Sequence, residues 1–372
     1  MSHLLAHLAK DHSVSLLTFE RTDAASFYPL PSSVAYMRGD KLGGGGLKRL
    51  SRIWSRLGLI RRTIDSVAPD VIVSFTDTTN IAALLACSGR GIPIIVSERV
   101  DPAHHDIGWV RNLLRAYTYP LARFIVVPSQ RVASYFPASL QSKMRVIGNP
   151  IPIPSVRAQV GQSSGRKRVI AVGRHEPQKG FDLLLEAFAL IACAFPDWDL
   201  VIVGDGTGRS RLERRIEALG LRQRVSLKSV VSDICQELAD SHLIAFPSRY
   251  EGFPNALAEA LAAGLPAVGY KDVSGVEDLI IDCHTGLLAD QREGPLGLAR
   301  ALSQMLADDK LRIRLGTAAR HHVRRWAPDR IFSLWEETLE DALTSLKHVT
   351  CPHSHISQPN RSAPRKDHAD PD

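Results

Sequence analysis

Short apolar runs alternate with longer amphipathic stretches along most of the chain. Each run of four or five apolar residues is bounded by Gly, Pro, Ser or a charged residue, which is typical of a buried strand. The stretches between the runs space apolar residues three and four positions apart, which predicts helices. Strands that alternate with helices pair into parallel sheets, so the pattern predicts an α/β fold. The strands predicted in the first half are 14–18, 71–75, 93–97, 124–127 and 145–147.

The alternation continues through the second half of the chain. The helices predicted in the first half are 4–9, 47–66, 81–87 and 109–121. The strands predicted in the second half are 169–172, 200–203, 225–227, 243–246 and 267–269. The helices predicted there are 181–194, 209–219, 233–239, 255–263 and 297–307, and a last amphipathic helix is predicted over 330–346.

A change in composition near the middle of the chain predicts two domains. Residues 149–154 alternate proline with isoleucine, and a polar stretch follows them. Such a segment is typical of an interdomain linker. We therefore predict a first domain over 1–154, a linker over 155–167, a second domain over 168–328, a closing helix over 329–348 and a polar, disordered tail over 349–372.

Length and composition exclude several classes of protein. The 372 residues are enough for two domains with cores of their own. The net charge of +7, from 46 basic and 39 acidic residues, is below that of a dedicated nucleic-acid binder. The five cysteines form no CxxC pair or Cys/His cluster, so neither a disulfide framework nor a zinc site is expected. No signal peptide or membrane span is evident, and we expect a cytoplasmic protein.

The segment from Glu251 to Glu259 carries the most informative chemistry. It sets two carboxylates eight positions apart, across a Gly-Pro turn and into a short helix. Asn255 is a suitable N-cap, and Glu259 then lies about one turn inside the helix. The free N–H groups at a helix N-terminus form an anion site. A ligand that carries both phosphate and hydroxyl groups fits this pattern.

Two cations follow the predicted strand 169–172. Arg174 and Lys179 flank a proline turn that opens the next helix. Ligands of open α/β sheets bind beyond the carboxyl ends of strands, so Arg174, Lys179 and Glu251 are candidates for one nucleoside-diphosphate site. Two cations and a helix N-terminus would neutralise a diphosphate, including one that is leaving. The alternative is that both cations form ordinary surface ion pairs.

At this point the chain resembles a known family, the retaining glycosyltransferases of the large bacterial family 4 (group 1) type with GT-B architecture. The resemblance rests on five segments in the family's order and spacing: 173–180 (GRHEPQKG), 203–206 (VGDG), 246–255 (FPSRYEGFPN), 259–266 (EALAAGLP) and 286–288 (GLL). It implies two Rossmann-like domains that face each other across a cleft, with the closing helix packed back towards the first domain.

The resemblance also implies a role for each candidate residue. Arg174 and Lys179 bind the donor diphosphate, Glu259 binds the ribose hydroxyls, and Glu251 contacts the donor sugar. Arg174, Lys179 and Glu251 are thereby the predicted catalytic residues, with no metal and no cofactor. The complete predicted donor site consists of Gly173, Arg174, Lys179, Glu251, Gly252, Phe253, Pro254, Asn255 and Glu259.

Two departures from the family concern the first domain. The family opens with a strand and a Gly-Gly loop, whereas residues 1–10 here already resemble the helix that follows them. We infer that an inner strand is missing. Either Met1 is an internal methionine of a longer product, or the chain is truncated. Residues 43–46 are interpreted as a flexible loop.

The second departure is that the histidine usual in the family is replaced near Arg99. Glu98, Arg99 and Asp101 are therefore acceptor-side candidates, with a surface loop that has local ion pairs as the alternative. The pairs at 104–105 and 321–322 are interpreted as solvated histidines.

Two further features have competing interpretations. Residues 204–208 (GDGTG) are similar to a dinucleotide loop but lack its full spacing, so a tight turn is favoured. In the helix 47–66, apolar residues share one face and basic residues the other. The basic face is either simply solvated or, through residues 47–62, docks on an anionic membrane.

Together these features predict a glycosyltransferase that moves a hexose or N-acetylhexosamine from a nucleotide-diphosphate sugar to a saccharide or lipid-linked acceptor, with retention. UDP is the favoured nucleotide, and bacterial surface polysaccharide or glycolipid is the expected product. Two alternatives stay open: a UDP-sugar epimerase of similar architecture, and a truncated, inactive chain that only binds nucleotide or a partner. A nucleic-acid module is disfavoured because no stacking platform accompanies the basic residues.

Overall fold

The computed structural model describes residues 1–19, 29–39, 48–161, 165–231 and 233–347, with the side chains of 48–53 and 345–347 excepted. The predicted flexible loop 43–46 and the predicted disordered tail 349–372 lie outside these described residues. Among the described residues, none of the helices combines the length and the apolar character that crossing a bilayer needs.

The first domain alternates short strands with helices. Its elements are α1 (Ser2–Leu8), β1 (Ser15–Thr18), β2 (Ala35–Arg38), α2 (Lys48–Val67), β3 (Ile72–Phe75), α3 (Asp77–Cys87), β4 (Ile94–Ser97), α4 (Trp109–Thr118), β5 (Phe124–Val127), α5 (Gln130–Tyr135) and β6 (Met144–Val146). Two 3-10 turns, Tyr119–Leu121 and Ala138–Lys143, follow α4 and α5. The sequence pattern missed β2 and α5, which are only four and six residues long.

The strands of the first domain form two parallel sheets. One holds β1 and β2, and the other has the order β3-β4-β5-β6. β4 and β5 are buried along their whole length, as expected for inner strands covered by helices on both faces. Among the described residues, no ladder joins β1 to β3.

The second domain is built on a six-stranded parallel sheet. Its elements are β7 (Lys167–Val172), α6 (Phe181–Ile191), β8 (Trp198–Val203), α7 (Arg209–Ala218), β9 (Val225–Lys228), α8 (Ile234–Ala239), β10 (Leu243–Phe246), α9 (Asn255–Ala263), β11 (Ala267–Tyr270), α10 (Val276–Leu279), β12 (Gly286–Ala289), α11 (Gly294–Ala307) and α12 (Asp309–Val323). The pattern had not predicted β12, α10 or α12. α12 escaped because a charged residue, Arg312, occupies its buried face and donates to the carbonyls of Met305 and Leu306.

The order of the six strands is β12-β11-β10-β7-β8-β9. From β7 the chain winds outward through β8 to β9, and then returns to β10 and winds the other way to β12. β7 and β10 are therefore neighbours at the point where the winding reverses, with Val169 opposite Leu243. Crevices in doubly wound sheets open at this reversal, beyond the carboxyl ends of the strands.

The last described helix, α13 (Pro328–Lys347), follows the second domain in the chain but packs on the first. Its Ile331, Phe332, Trp335 and Ala342 share one buried cluster with residues from α1, β4 and β5. The chain between the domains packs on the second core through Ile151, Ala158 and Val160. The exact domain boundaries stay predictions, because core packing alone does not fix them.

Candidate active site

The reversal in the second sheet gathers three chain segments at one edge. Gly173 ends β7, Gly204 ends the neighbouring β8, and Pro247 follows β10 on the other side. A side chain at Gly204 would collide with the Gly173 carbonyl oxygen, and Gly204 has a φ of +147°. The glycines of the 204–208 segment thus allow close backbone packing, as the tight-turn interpretation predicts.

An ion pair joins the turn after β7 to the loop after β10. Lys179 Nζ lies 2.6 Å from Glu251 Oε1, and the Glu251 side chain is buried, with 6% of the residue exposed. Gly180 allows the approach: it has a φ of +65°, and a side chain there would collide with the Pro247 carbonyl oxygen. Two predicted catalytic residues, seventy-two positions apart in sequence, therefore share one contact.

A second set of contacts fixes this turn, and the sequence analysis missed it. The Arg249 guanidinium forms two hydrogen bonds with the Asp182 carboxylate, at 2.9 and 2.8 Å. Gln178 Nε2 donates to the Tyr250 carbonyl at 2.9 Å. Burial opposes ionisation of Asp182, but the Arg249 pair prevails and lowers its pKa. The turn that carries Lys179 is thus held rigidly against the loop that carries Glu251.

α9 begins directly after this loop and points its N-terminus at the same edge of the sheet. Pro254 is its N-cap, so the prediction that Asn255 caps the helix is wrong. The Asn255 side chain instead accepts a hydrogen bond at 2.8 Å from Asn149 of the first domain. Gly252 packs against the backbone of Arg99, where a side chain would collide with the Arg99 carbonyl oxygen.

Glu259 and Arg174 differ from the ion-paired residues. Glu259 is the fifth residue of α9; it is partly buried and makes no hydrogen bond among the described residues, and burial raises its pKa. The Arg174 side chain is exposed and likewise takes part in no described ion pair or hydrogen bond. Neither residue contacts Lys179 or Glu251 by a hydrogen bond, so both charges are available to a ligand.

The first domain contributes a separate pocket where β3 and β4 end. Its volume is about 330 Å³, and its polar lining includes Thr76, Asp77, Glu98, Arg99, His105 and Arg111. Glu98 is buried and accepts a hydrogen bond from the Tyr119 hydroxyl, with Arg115 at 4.0 Å. Burial raises the pKa of Glu98 to about 7, although Tyr119 and Arg115 favour its charged form.

Arg99 and Asp101 occupy different places near this pocket. Arg99 donates to Asn149 at 3.0 Å and lies over the rings of Phe75 and Trp335, and burial lowers its pKa to about 10. Asp101 does not line the pocket. It is buried and accepts a hydrogen bond at 2.7 Å from Ser274 of the second domain. The alternative of a surface loop with local ion pairs is wrong about exposure, because Glu98 and Asp101 are buried, although Asp101 does pair with His104 at 3.1 Å.

Several pocket residues escaped the sequence analysis. Asp77 Oδ2 lies 3.2 Å from His105 Nε2, and Thr76 has a φ of +71°, a strained value for a β-branched residue. Both Thr76 and Asp77 follow β3 directly, so the rule that drew attention to Arg174 could have found them.

Three of the four paired histidines, His104, His105 and His321, are exposed, as the solvated interpretation predicts. The ring of His104 stacks on Tyr250 at 5.3 Å between centroids, across the two domains. His322 is partly buried and hydrogen-bonds the Asp278 carbonyl at 2.8 Å, and its burial lowers the pKa. The interpretation is therefore wrong for His322 and correct for the other three.

α2 keeps its predicted amphipathic character in part. Leu57, Ile60 and Ile64 are buried, as the helical projection predicts. Trp54, placed on the same apolar face by that projection, is instead 68% exposed. Arg56, Arg61 and Arg62 are exposed, while the side chains of 48–53 lie outside the described residues.

Comparison with known proteins covers both halves of the chain. Residues 1–153 match the model described as Glycosyltransferase Family 4, and residues 153–322 match the model described as Glycosyl transferases group 1. A Streptomyces coelicolor protein named as an exopolysaccharide phosphotransferase is 30% identical over 287 residues, which cover 77% of this chain. The match spans only 30% of that relative's length.

Two other similar proteins match over most of their length. A Campylobacter jejuni protein is 25% identical over 330 residues, 88% of this chain and 90% of its own, and is named as an N-acetyl-D-galactosaminyltransferase for a saccharide on PP-undecaprenol. The structure of Anabaena HepE with UDP and glucose has a TM-score of 0.68 at 20% identity, and covers 83% of this chain and 86% of that one. This likeness confirms the predicted fold, two Rossmann-like domains of GT-B type.

Proposed function

Since this chain belongs to the group 1 and family 4 glycosyltransferases, we propose that it transfers a hexose or N-acetylhexosamine from a nucleotide-diphosphate sugar. UDP is the favoured nucleotide, because HepE, which has the same fold, was solved with UDP and glucose. The acceptor is a saccharide or a lipid-linked saccharide, as in the name of the Campylobacter relative. The product belongs to bacterial surface polysaccharide or glycolipid.

The observation that carries this proposal is the contact between Lys179 and Glu251 at the strand reversal, 2.6 Å long, next to the N-terminus of α9. Lys179 and Arg174 neutralise the donor diphosphate together with the N–H groups of α9. Glu259, whose carboxylate has no described partner, accepts hydrogen bonds from the ribose hydroxyls. Glu251 contacts the donor sugar and positions Lys179.

In the reaction, the bond between the sugar's anomeric carbon and the diphosphate oxygen breaks. The acceptor oxygen forms its bond to the same face of that carbon, so configuration is retained, and its proton passes to the departing diphosphate. The charge that grows on the diphosphate is stabilised by Lys179, Arg174 and the helix N-terminus. These groups take the role that a metal ion has in other transferases, so the proposed reaction needs no metal.

The acceptor enters from the pocket of the first domain. Glu98 and Arg99 line it, and the loop that carries them packs on Gly252 of the donor loop. Asp101 holds the two domains together through Ser274 instead of contacting the acceptor. We place the reaction in the cytoplasm, where exposed basic residues of α2 add electrostatic attraction to the anionic face of the inner membrane.

Thermal stability in the presence of UDP-, GDP- and ADP-sugars tests the donor assignment. A ligand at about 100 times its dissociation constant adds roughly 2.7 kcal/mol to the free energy of unfolding. We expect a UDP-sugar to raise the melting temperature and the other two to raise it less. If no nucleotide sugar stabilises the protein, the proposed donor site is wrong.

Product analysis separates the proposed reaction from its alternatives. Transfer requires an acceptor, whereas an epimerase converts the sugar nucleotide without one. Nucleotide binding with no turnover, even when bacterial membranes supply the acceptor, would indicate an inactive binding protein. Each of these results contradicts the transferase proposal.

Substitution of Arg174 tests the charge stabilisation directly. Arg174→Ala should lower kcat about 100-fold, as for the loss of one preorganised transition-state donor, and change the UDP dissociation constant much less. Single-turnover rates and UDP titrations measure the two effects. Weaker UDP binding with an unchanged kcat would mean that Arg174 contributes only to ground-state binding and would contradict the proposed charge stabilisation.

A further inference from the structure

α4 and the turn that follows it expose an unusual amount of apolar surface. Trp109 is 79% exposed and Tyr117 is 72% exposed. Val110, Leu113 and Leu121 are also among the exposed large apolar residues. We name these five residues the α4 face. Isolated exposed apolar residues are common, but a set this dense on one short helix marks an interaction site.

The orientation of α4 is fixed by its polar side. The residues that α4 buries are Arg115 and Thr118. Arg115 donates to Tyr135 at 3.0 Å and to Asn112 at 2.9 Å, and Thr118 donates to the Leu114 carbonyl. The buried guanidinium also lies 4.0 Å from the Glu98 carboxylate. Because the helix turns its arginine inward, its apolar residues point away from the core of the domain.

The charge at the margin of the α4 face is mainly positive. One carboxylate lies there: Asp106 is exposed and accepts a hydrogen bond at 2.7 Å from the Gly108 N–H that precedes α4. No Asp or Glu occurs between Asp106 and Glu176, although eleven Lys and Arg residues lie in that interval. Arg111 and Arg123, within or just after α4, are exposed. An apolar helix face with two exposed arginines and one carboxylate at its margin is complementary to the interface of an anionic bilayer, where Trp and Tyr rings are favoured.

A second copy of this chain fits the α4 face less well. A symmetric pairing would bring two exposed arginines, Arg111 and Arg123, and one exposed carboxylate, Asp106, from each copy together, which leaves excess positive charge at the interface. The face is also continuous with the acceptor pocket, because Ile107 and Arg111 line that pocket. Docking on a bilayer would therefore bring the pocket close to the lipid surface.

We propose that the α4 face docks this protein on the surface of an anionic phospholipid bilayer. Trp109, Leu113 and Tyr117 enter the interfacial region, and the neighbouring arginines contact lipid phosphates. This role differs from the electrostatic contact proposed for α2, because it requires burial of apolar side chains. It goes beyond the proposed sugar transfer and does not depend on the identity of the donor.

Co-sedimentation with vesicles tests the proposal. The vesicles contain phosphatidylcholine alone or an equal mixture with phosphatidylglycerol. We expect binding to the anionic vesicles, and we expect Trp109→Ser/Leu113→Ser to weaken it more than about tenfold, since each buried methylene contributes to interfacial affinity. The matched control is Leu190→Ser/Leu296→Ser, which removes two leucines that are 59% and 60% exposed on the second domain. The control should bind vesicles like the wild type.

Three results would overturn the proposal. The first is no binding of the wild type to anionic vesicles. The second is an unchanged affinity of the Trp109→Ser/Leu113→Ser variant for anionic vesicles. If Arg56→Glu/Arg61→Glu then abolishes binding, the membrane contact belongs to α2 and not to the α4 face. The third is a concentration-dependent dimer, seen by analytical ultracentrifugation, that the Trp109/Leu113 variant dissociates while vesicle binding persists; this would assign the face to a second copy.

Thermal stabilisation by UDP keeps this test separate from the proposed function. The variant side chains are exposed and lie outside the donor crevice, so the Trp109/Leu113 variant should keep the wild-type response to UDP. Loss of vesicle binding with an intact UDP response supports docking through α4. If UDP stabilises neither the wild type nor the variants, the donor assignment is wrong. The docking proposal would still be decided by vesicle co-sedimentation, which does not depend on UDP.

Discussion

The two domains build their candidate sites in different ways. On the donor side, the important residues lie in two short segments, and the strand reversal between β7 and β10 brings the segments together. On the acceptor side, the pocket residues come from the ends of β3 and β4 and from the loop before α4. The donor crevice keeps two charges without described partners, Arg174 and Glu259, whereas the acceptor pocket pairs Asp77 with His105 and Glu98 with Tyr119.

This difference has a physical origin. A diphosphate carries fixed charge, so a few cations and a helix N-terminus are enough to bind it. An acceptor is recognised by shape and by individual hydroxyl groups, which requires buried polar residues whose placement depends on the surrounding core. Substitutions of Arg174 and Glu259, which have no described partners, should therefore act mainly on binding and catalysis. Substitutions of paired, buried residues in either domain should act on stability as well.

The largest effect is expected for Lys179→Met. Removal of this cation leaves Glu251 as an unpaired buried charge and removes charge stabilisation of the diphosphate, so kcat/KM should fall about 1,000-fold. The matched control is Lys167→Met, at the opposite end of β7, where the lysine pairs with Asp309 at 3.1 Å and is 18% exposed, close to the 15% of Lys179. Equal losses in initial rate for both variants would contradict the prediction, because they would show that Lys179 is no more important for catalysis than a lysine at the opposite end of β7.

Glu98→Gln tests the acceptor side through pH. The pKa of Glu98 is raised to about 7 in the folded protein, so the folded state holds its proton between pH 4.5 and 7 while the unfolded state does not. The stabilising contribution of the protonated form is complete below pH 4.5 and is lost as pH rises through 7. From pH 5 to 8 the variant should gain up to about 3 kcal/mol in free energy of unfolding relative to the wild type.

Urea denaturation at several pH values measures this gain. The matched control is Glu237→Gln, whose carboxylate pairs with Arg168 and Lys228 in the second domain. A pH-independent difference between Glu98→Gln and the wild type would show that the Glu98 carboxylate is ionised throughout, and that the acceptor pocket holds a fixed negative charge.

Glu259→Gln should lower the affinity for UDP about tenfold, because a hydrogen bond to a charged group contributes roughly 1.5–3 kcal/mol. Isothermal titration with UDP measures the change. Glu186→Gln is the control, since Glu186 pairs with Arg215 on the outer side of α6, at 2.7 Å. If the UDP affinity of Glu259→Gln equals that of the control, the ribose lies elsewhere and the unpaired carboxylate has another role.

The smallest effect is expected where the two sides meet. Ser274→Ala removes the hydroxyl that donates to Asp101 at 2.7 Å, while Asp101 keeps its bonds to the Ala103 N–H and to His104. The free energy of unfolding should fall by about 1 kcal/mol. Ser333→Ala, which removes an exposed hydroxyl bond within α13, should change it much less. Equal effects would show that the domains do not depend on this contact.

Much of the donor side could be predicted because its information is local. The run 243–246 is apolar, so it forms β10, and the segment from Glu251 to Glu259 follows it in one loop and one helix. The pairing of Lys179 with Glu251 and that of Arg249 with Asp182 could not be predicted, since each joins residues far apart in sequence. The residue types show that these four positions carry charge, but only the order of the strands decides which of the charges form ion pairs.

The acceptor side and α4 show the opposite case. The periodicity of residues 109–121 predicts a helix, but it does not predict that Arg115 turns inward and Trp109 outward. That choice depends on Glu98 and Tyr135, which lie in other elements and supply partners for the guanidinium. Likewise, the buried Asp101 accepts a hydrogen bond from Ser274, which lies in the second domain and 173 positions away in sequence.

By itself, the sequence determined the alternation of strands and helices, the two-domain organisation and the residue types of the donor motifs. These depend on short-range spacing, which is readable along the chain because strand and helix periods differ. Only the tertiary structure decided which charges are paired and which stay available, and which face of α4 is exposed. The pairing of charges and the exposure of a helix face depend on burial and on partners from distant segments. Burial matters because it changes the strength of an electrostatic interaction far more than residue type does.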